Sequence, residues 1–164
     1  MDIRLARIDS RLIHGQVVTK WVKQTAANKI LIIDDVLAKD AFMLSIYKMA
    51  APSDIPVEVL SVEDAVAAWK SGELNSKLFI LFKDVQTAYA SYKQGFPLET
   101  IQVGGLGSEG NKKKVYGPIY FDEEDIRMLS EMNENNVSVT LHQVPEEASM
   151  SLEKALSKIE GGRR

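Results

Sequence analysis

Residues 7–17, Arg7-Ile8-Asp9-Ser10-Arg11-Leu12-Ile13-His14-Gly15-Gln16-Val17, place one of the chain's two histidines beside a glycine, an aspartate and two arginines. These residue types suit the handling of a phosphoryl group. Neutral imidazole is a competent nucleophile. Guanidinium groups offer planar forks of N–H donors that match phosphate oxygens. Gly15 removes a side chain that would keep an anion from the backbone. Asp9 can hydrogen-bond a ring N–H of the histidine or hold an arginine in place. His14 is therefore the candidate nucleophile, with Arg7, Asp9, Arg11, Gly15 and Gln16 as candidate phosphoryl-binding groups. By local chemistry alone the loop also fits a general base acting on an anionic substrate, or a passive anion-binding turn.

The surrounding elements give the loop its setting. An apolar, strand-like segment, residues 3–8, enters it, and a helical pattern with Val17, Val18, Trp21 and Val22 on one side leaves it. His14 sits where a first strand hands over to a first helix. In open α/β sheets, ligands bind beyond the carboxyl ends of the strands. A helix start there also presents unpaired N–H groups and partial positive charge.

The run from Arg7 to Val17, with Trp21 after it, resembles the IIB components of the mannose/fructose/sorbose family of the bacterial sugar phosphotransferase system. The similarity continues through Ile32-Ile33-Asp34-Asp35-Val36-Leu37-Ala38-Lys39-Asp40, Met49-Ala50-Ala51-Pro52, Val103-Gly104-Gly105 and Gln143-Val144-Pro145, in the family's order. The resemblance implies that His14 accepts a phosphoryl group from a phosphohistidine of a IIA protein. It would then pass the group to a sugar taken up through the membrane components IIC and IID. It further implies an Nδ1 linkage, with Arg7, Asp9 and Arg11 around the ring, and no cofactor. The chain departs from the common pattern at Ser10, where an acidic residue is frequent, at Lys83-Asp84-Val85, and at Gln102, where asparagine is common. Which sugar is carried is not written in these motifs. A small-molecule enzyme using His14 as base and a non-catalytic regulatory module of the same fold are the alternatives.

Composition narrows the classes. The 164 residues, 45% of them hydrophobic, suit one domain spanning 1–164. A net charge of −3 gives no field for nucleic acid, and Lys112-Lys113-Lys114 and Arg163-Arg164 read as solvated turns or ends. The absence of cysteine excludes disulfides, a thiolate metal site and the cysteine-linked carriage of other IIB families. No metal site is expected. No apolar run approaches the ~20 residues that span a bilayer. The expectation is a cytoplasmic protein that meets the inner face of the membrane through its partners.

The remaining chain alternates strand and helix. Residues 29–34, 56–60, 78–82 and 99–103 read as strands, the first and third apolar enough to be covered on both faces. A helix over 38–51 would turn Phe42, Ile46, Tyr47 and Met49 or Ala50 toward a core and stop at Pro52. Ser61 and Asp122 open further helices. Gly105-Leu106-Gly107-Ser108-Glu109-Gly110 matches the dinucleotide fingerprint as a string, but residues 113–121 alternate like a strand where that fingerprint needs a helix. The glycines read as a turn, with Gly104 and Gly105 candidates to approach the His14 loop and Lys83 a candidate second wall. Residues 137–142 alternate as a strand with one exposed face at an edge, and His142 is read as structural. The whole predicts an open, mostly parallel α/β sheet with helices on both faces and an antiparallel edge strand.

Overall fold

The computed structural model describes residues 1–162, so Arg163-Arg164 lies outside the described residues. Strand β1 (Asp2–Asp9) leads through the His14 loop into α1 (Gly15–Thr25) and β2 (Lys29–Ile33). A 3-10 turn at Leu37–Lys39 precedes α2 (Ala41–Ala50), β3 (Val57–Leu60), α3 (Val62–Ser71), β4 (Lys77–Phe82), α4 (Val85–Lys93) and β5 (Thr100–Gly105). The hairpin β6 (Lys113–Tyr116) and β7 (Ile119–Phe121) follows, then α5 (Glu123–Glu134), β8 (Ser138–Leu141), β9 (Met150–Ser151) and α6 (Leu152–Gly162).

The seven-stranded sheet runs β3-β2-β4-β1-β5-β8-β9, parallel throughout except for β9, which pairs antiparallel with β8. Alternation along the central strands feeds two cores. Phe79 and Leu81 of β4, with Ile30 and Ile32 of β2, meet Val18, Trp21 and Val22 of α1 on one face. Leu78, Ile80 and Phe82, with Leu31 and Ile33, meet α3, α4, α5 and α6 on the other. Strands buried on both faces need apolar residues at every position, which is why these segments read as unbroken runs.

Parallel strands bring the loops after β2, β4, β1 and β5 to one rim of the sheet, and the His14 loop lies there, beside the ends of β4 and β5. Asp34 accepts from the backbone N–H groups of Val36 and Leu37, and Asp35 accepts from that of Val62, so both serve turns and helix starts. Lys83 is exposed on the same rim.

Three expectations change. The strand at 137–142 is not the edge, because β9 closes it on the outer side. Residues 113–121 form two strands, turned at Gly117, whose φ is +53°. The helix expected over 38–51 begins at Ala41, capped by Asp40, whose side chain accepts from the Met43 N–H. Its inward residues are Met43, Leu44 and Tyr47, while Phe42 and Met49 are 71% and 80% exposed. A helix apolar on nearly every side offers two seams, and packing over β2 and β3 selects one.

Candidate functional site

The His14 loop is shaped by where its apolar residues go. Leu12 and Ile13 are buried against the α1 face of the sheet, and Leu12 adopts a left-handed backbone, φ +54°. Such a conformation costs a leucine about 1–2 kcal/mol, offset by burial of its side chain. The Leu12 N–H donates to the Asp9 carbonyl at 2.9 Å, closing a tight turn. With 12 and 13 plugged inward, Arg11 is left exposed on the loop and His14 half-buried beside it.

Asp9 is fully buried and gathers both arginines. Its Oδ1 accepts from the Arg11 backbone N–H at 3.1 Å and from Arg11 Nε at 3.2 Å, and its Oδ2 accepts from Arg11 Nη2 at 3.3 Å. Oδ2 also accepts from Arg7 Nη2 at 3.2 Å. Of the two roles open to Asp9, it takes the one of holding arginines. Arg11 remains 43% exposed, its fork held from one side and open on the other.

Arg7 lies behind this layer, 1% exposed. Nη1 donates to Gln102 Oε1 and to the His142 carbonyl, and Nη2 donates to Asp9 and to the Gln143 carbonyl. The guanidinium stands 5.5 Å from the Trp21 ring centroid. Burial draws it below its ordinary pKa, opposed by the charge and hydrogen bond of Asp9. With those donors engaged and water excluded, Arg7 acts on the loop through Asp9 and not by direct contact with a ligand in this arrangement.

The glycines after β5 make room for both arginines. A Cβ on Gly104 would stand 2.0 Å from Arg7 Cζ, and one on Gly105 would stand 2.9 Å from Arg11 Nη2. The pairing of β1 with β5 shifts register at this point, from Ile8 opposite Val103 to Asp9 opposite Gly105. The expected approach of Gly104 and Gly105 to the loop is thus realised, through the arginines.

His14 is the N-cap of α1, in extended conformation, with no side chain capping the helix and no acidic residue in its first turn. Helices α2 to α5 each have an Asp or Ser side chain in that role. The first amides of α1, at Gly15 and Gln16, are therefore without a side-chain partner. Gly15 has φ +49° with open space around its would-be Cβ, so glycine is needed there for the backbone turn and not for clearance. His14 Nδ1 lies 2.9 Å from the Leu12 carbonyl. A carbonyl only accepts, so Nδ1 carries the proton and the lone pair rests on Nε2, which is buried without a partner.

Sequence reading missed Trp21, Gln102 and the turn after β8 as parts of the site. Trp21 Nε1 donates to the Gln143 carbonyl at 3.0 Å, and the His142 ring meets the indole edge-on at 4.9 Å. The His142 Nε2 is placed 2.7 Å from the Glu147 carbonyl, a contact within the turn after β8. A glutamine within the otherwise buried β5 was the available signal. Among the described residues no group of three or more His, Asp or Glu is placed to hold a metal ion, and no helix is long and apolar enough to cross a membrane.

Residues 3–162 match the family model described as "PTS system sorbose subfamily IIB component". The chain belongs to this family. The sorbose-specific EIIB component of Klebsiella pneumoniae is 33% identical over 153 residues, covering 93% of each chain. The crystal structure of manxB from Thermoanaerobacter tengcongensis superposes with a TM-score of 0.90 at 36% identity, covering 96% of each chain. The mannose-specific EIIAB component of Escherichia coli is 27% identical over 161 residues, 98% of this chain but 50% of that longer one. As a sorbose-subfamily IIB component, the protein serves a phosphotransferase system in sugar transport, and the open parallel sheet is the fold of its structural neighbours.

Proposed function

We propose that this IIB component carries a phosphoryl group on His14. The group comes from a phosphohistidine of a IIA protein and is handed to a sugar entering through the membrane components IIC and IID, at the inner face of the membrane. The observation that carries this reading is the junction of β1 and α1, where a histidine N-cap replaces a carboxylate or hydroxyl cap next to an arginine clamped by a buried aspartate. In the transfer, a ring nitrogen of His14 attacks phosphorus in line. The bond from phosphorus to the donor imidazole breaks, and the electron pair returns to that ring. Arg11 and the amides of Gly15 and Gln16 stabilise the equatorial oxygens; Asp9 holds Arg11, and Arg7 holds Asp9. The resemblance implies Nδ1 as the attacking atom. In the resting ring Nδ1 is protonated toward Leu12, so attack there requires the ring to leave that carbonyl and the proton to reside on Nε2.

A histidine on the loop at the rim of the sheet suits a group that must meet two macromolecules in turn, once its half-buried ring swings outward. A hollow of about 450 Å³ lies at the opposite rim against Met1, Trp69 and Thr100, and one of about 780 Å³ lies against Lys112, Phe121 and Glu124. Neither is lined by His14. The IIA link draws on the fused name of the mannose relative.

Incubation with phosphorylated IIA, followed by mass spectrometry that preserves acid-labile phosphohistidine, tests the reading. One phosphoryl group at His14, absent from a folded His14→Ala variant, is the expected result. No labelling by active matched donors, or sustained labelling elsewhere, would overturn it.

A further inference from the structure

We propose that Gln102 is a positioning residue for phosphoryl transfer, acting on Arg11 through Arg7 and Asp9; the inference rests on the carrier reading above. Gln102 faces Arg7 across the β1–β5 pairing and is 6% exposed. Its Oε1 accepts from Arg7 Nη1, and that nitrogen also donates to the His142 carbonyl at 2.8 Å. The other end of the fork, Nη2, is left to bind Asp9 Oδ2 at 3.2 Å and the Gln143 carbonyl at 3.0 Å. A planar guanidinium that is fixed at one nitrogen has its other nitrogen fixed as well.

Asp9 in turn has no other side-chain donors than the two arginines among the described residues. Its carboxylate plane is therefore set by Arg7 on the buried side, and Arg11 reads that plane with Nε and Nη2 on the exposed side. The amide is the one neutral side-chain acceptor on Arg7; the remaining acceptors are two backbone carbonyls and the Asp9 carboxylate. An amide oxygen orients the guanidinium without adding a second negative charge to compete with Asp9 for it. The missing Cβ of Gly104 leaves the guanidinium its place, 2.0 Å from where that atom would be, and Trp21 closes the layer. Loss of the amide acceptor leaves Nη1 held by the His142 carbonyl alone, so the guanidinium shifts toward it, and the shift passes through Asp9 to Arg11.

The test is a double-mutant cycle on single-turnover transfer from phosphorylated IIA, using Gln102→Met, Arg11→Ala and the double variant. Gln102→Met should lower the maximal transfer rate roughly 10- to 100-fold, the range for misplacing a transfer group by about 1 Å, with KM for the donor unchanged. In the Arg11→Ala background the same substitution should have no further effect, because its route to the phosphoryl group is gone. Should the methionine variant fail to fold, Gln102→Glu keeps an oxygen acceptor but adds the negative charge that competes with Asp9 for Arg7, and its loss of rate is read in the same cycle. A wild-type rate in the folded Gln102 variant, a change confined to KM, or a loss that multiplies with that of Arg11→Ala would overturn the inference while leaving His14 as carrier. A wild-type chain that takes no phosphoryl group from active donors would overturn the carrier reading and this inference with it.

Discussion

At the residue scale, the loop depends on two buried charges solving each other's problem. Arg7 and Asp9 are each taken out of water, which is costly unless every donor and acceptor finds a partner. Here the aspartate accepts from both arginines and the arginine is shared among four acceptors. The arrangement leaves no slack around the Arg7 fork, so the smallest addition beside it is expensive. Gly104→Ala should therefore destabilise the protein by roughly 1–3 kcal/mol, the range for overpacking, since the arginine that would have to move is held at four points. Equilibrium urea unfolding measures it, and a change within error would show that Arg7 can relocate freely. Gly15 is different in kind. Its constraint is the positive φ, so its substitution acts on the backbone of the loop and not on the arginines.

At the element scale, the helix starts divide by their caps. In α5, Asp122 and Asp125 cap reciprocally, and Asp125 also meets Lys112 Nζ at 3.3 Å. Burial raises the Asp125 carboxyl above its ordinary value of 3.8, outweighing the pull of the Asp122 N–H and Lys112. A carboxyl whose folded pKa is raised holds its proton more tightly in the native state. Its contribution to stability is full below about 3.8 and is lost as pH rises through the folded value. Asp125→Asn keeps an acceptor for Asp122 but removes the titration, so the variant should gain stability relative to wild type as pH rises through that window. Paired denaturation curves across the window check the sign; a constant difference would assign the pH dependence elsewhere.

Helix α2 sets the opposite kind of expectation, because its most exposed apolar residues touch little. Phe42→Ala should cost no more than about 0.5 kcal/mol, as surface substitutions do, whereas truncation of buried Phe79 should cost about 3–5 kcal/mol. Thermal unfolding of the two variants side by side decides it. A large loss at Phe42 would mean that this side of α2 is covered in solution.

At the scale of the whole molecule, two apolar clusters share one sheet. Trp21 belongs to the cluster on the α1 face, and Trp69 packs against the other. The central strands β2 and β4 contribute alternate residues to both, so neither cluster can dissolve while the other keeps its floor. Fluorescence of Trp21→Phe and Trp69→Phe variants should therefore report single denaturation transitions, each coincident with far-UV circular dichroism of the same variant. Probes that separate in either variant would mean that the two layers unfold independently. The same sheet makes the site possible, because parallel strands deliver their carboxyl ends to one rim.

The sequence by itself determined the αβ alternation, the two-faced burial of the central strands and the residue types gathered in the first loop. Those features are local: period, caps and residue type are readable within a few residues of one another. It also marked His14, Arg11 and the glycine pair after β5. What it did not hold was the division of labour between the two arginines. Both lie in one short run, yet the pleat of β1 and the turn at Leu12 bury Arg7 and leave Arg11 half exposed. Nor did it show that Gln102 and the carbonyls of 142 and 143 would complete the Arg7 shell, since those contacts close only when β5 and β8 stack beside β1. The inward face of α2 and the strand at the sheet's far edge were likewise decided by packing. A helix apolar on most sides, or a strand that alternates, can satisfy more than one partner, and only the tertiary structure selects which one it meets.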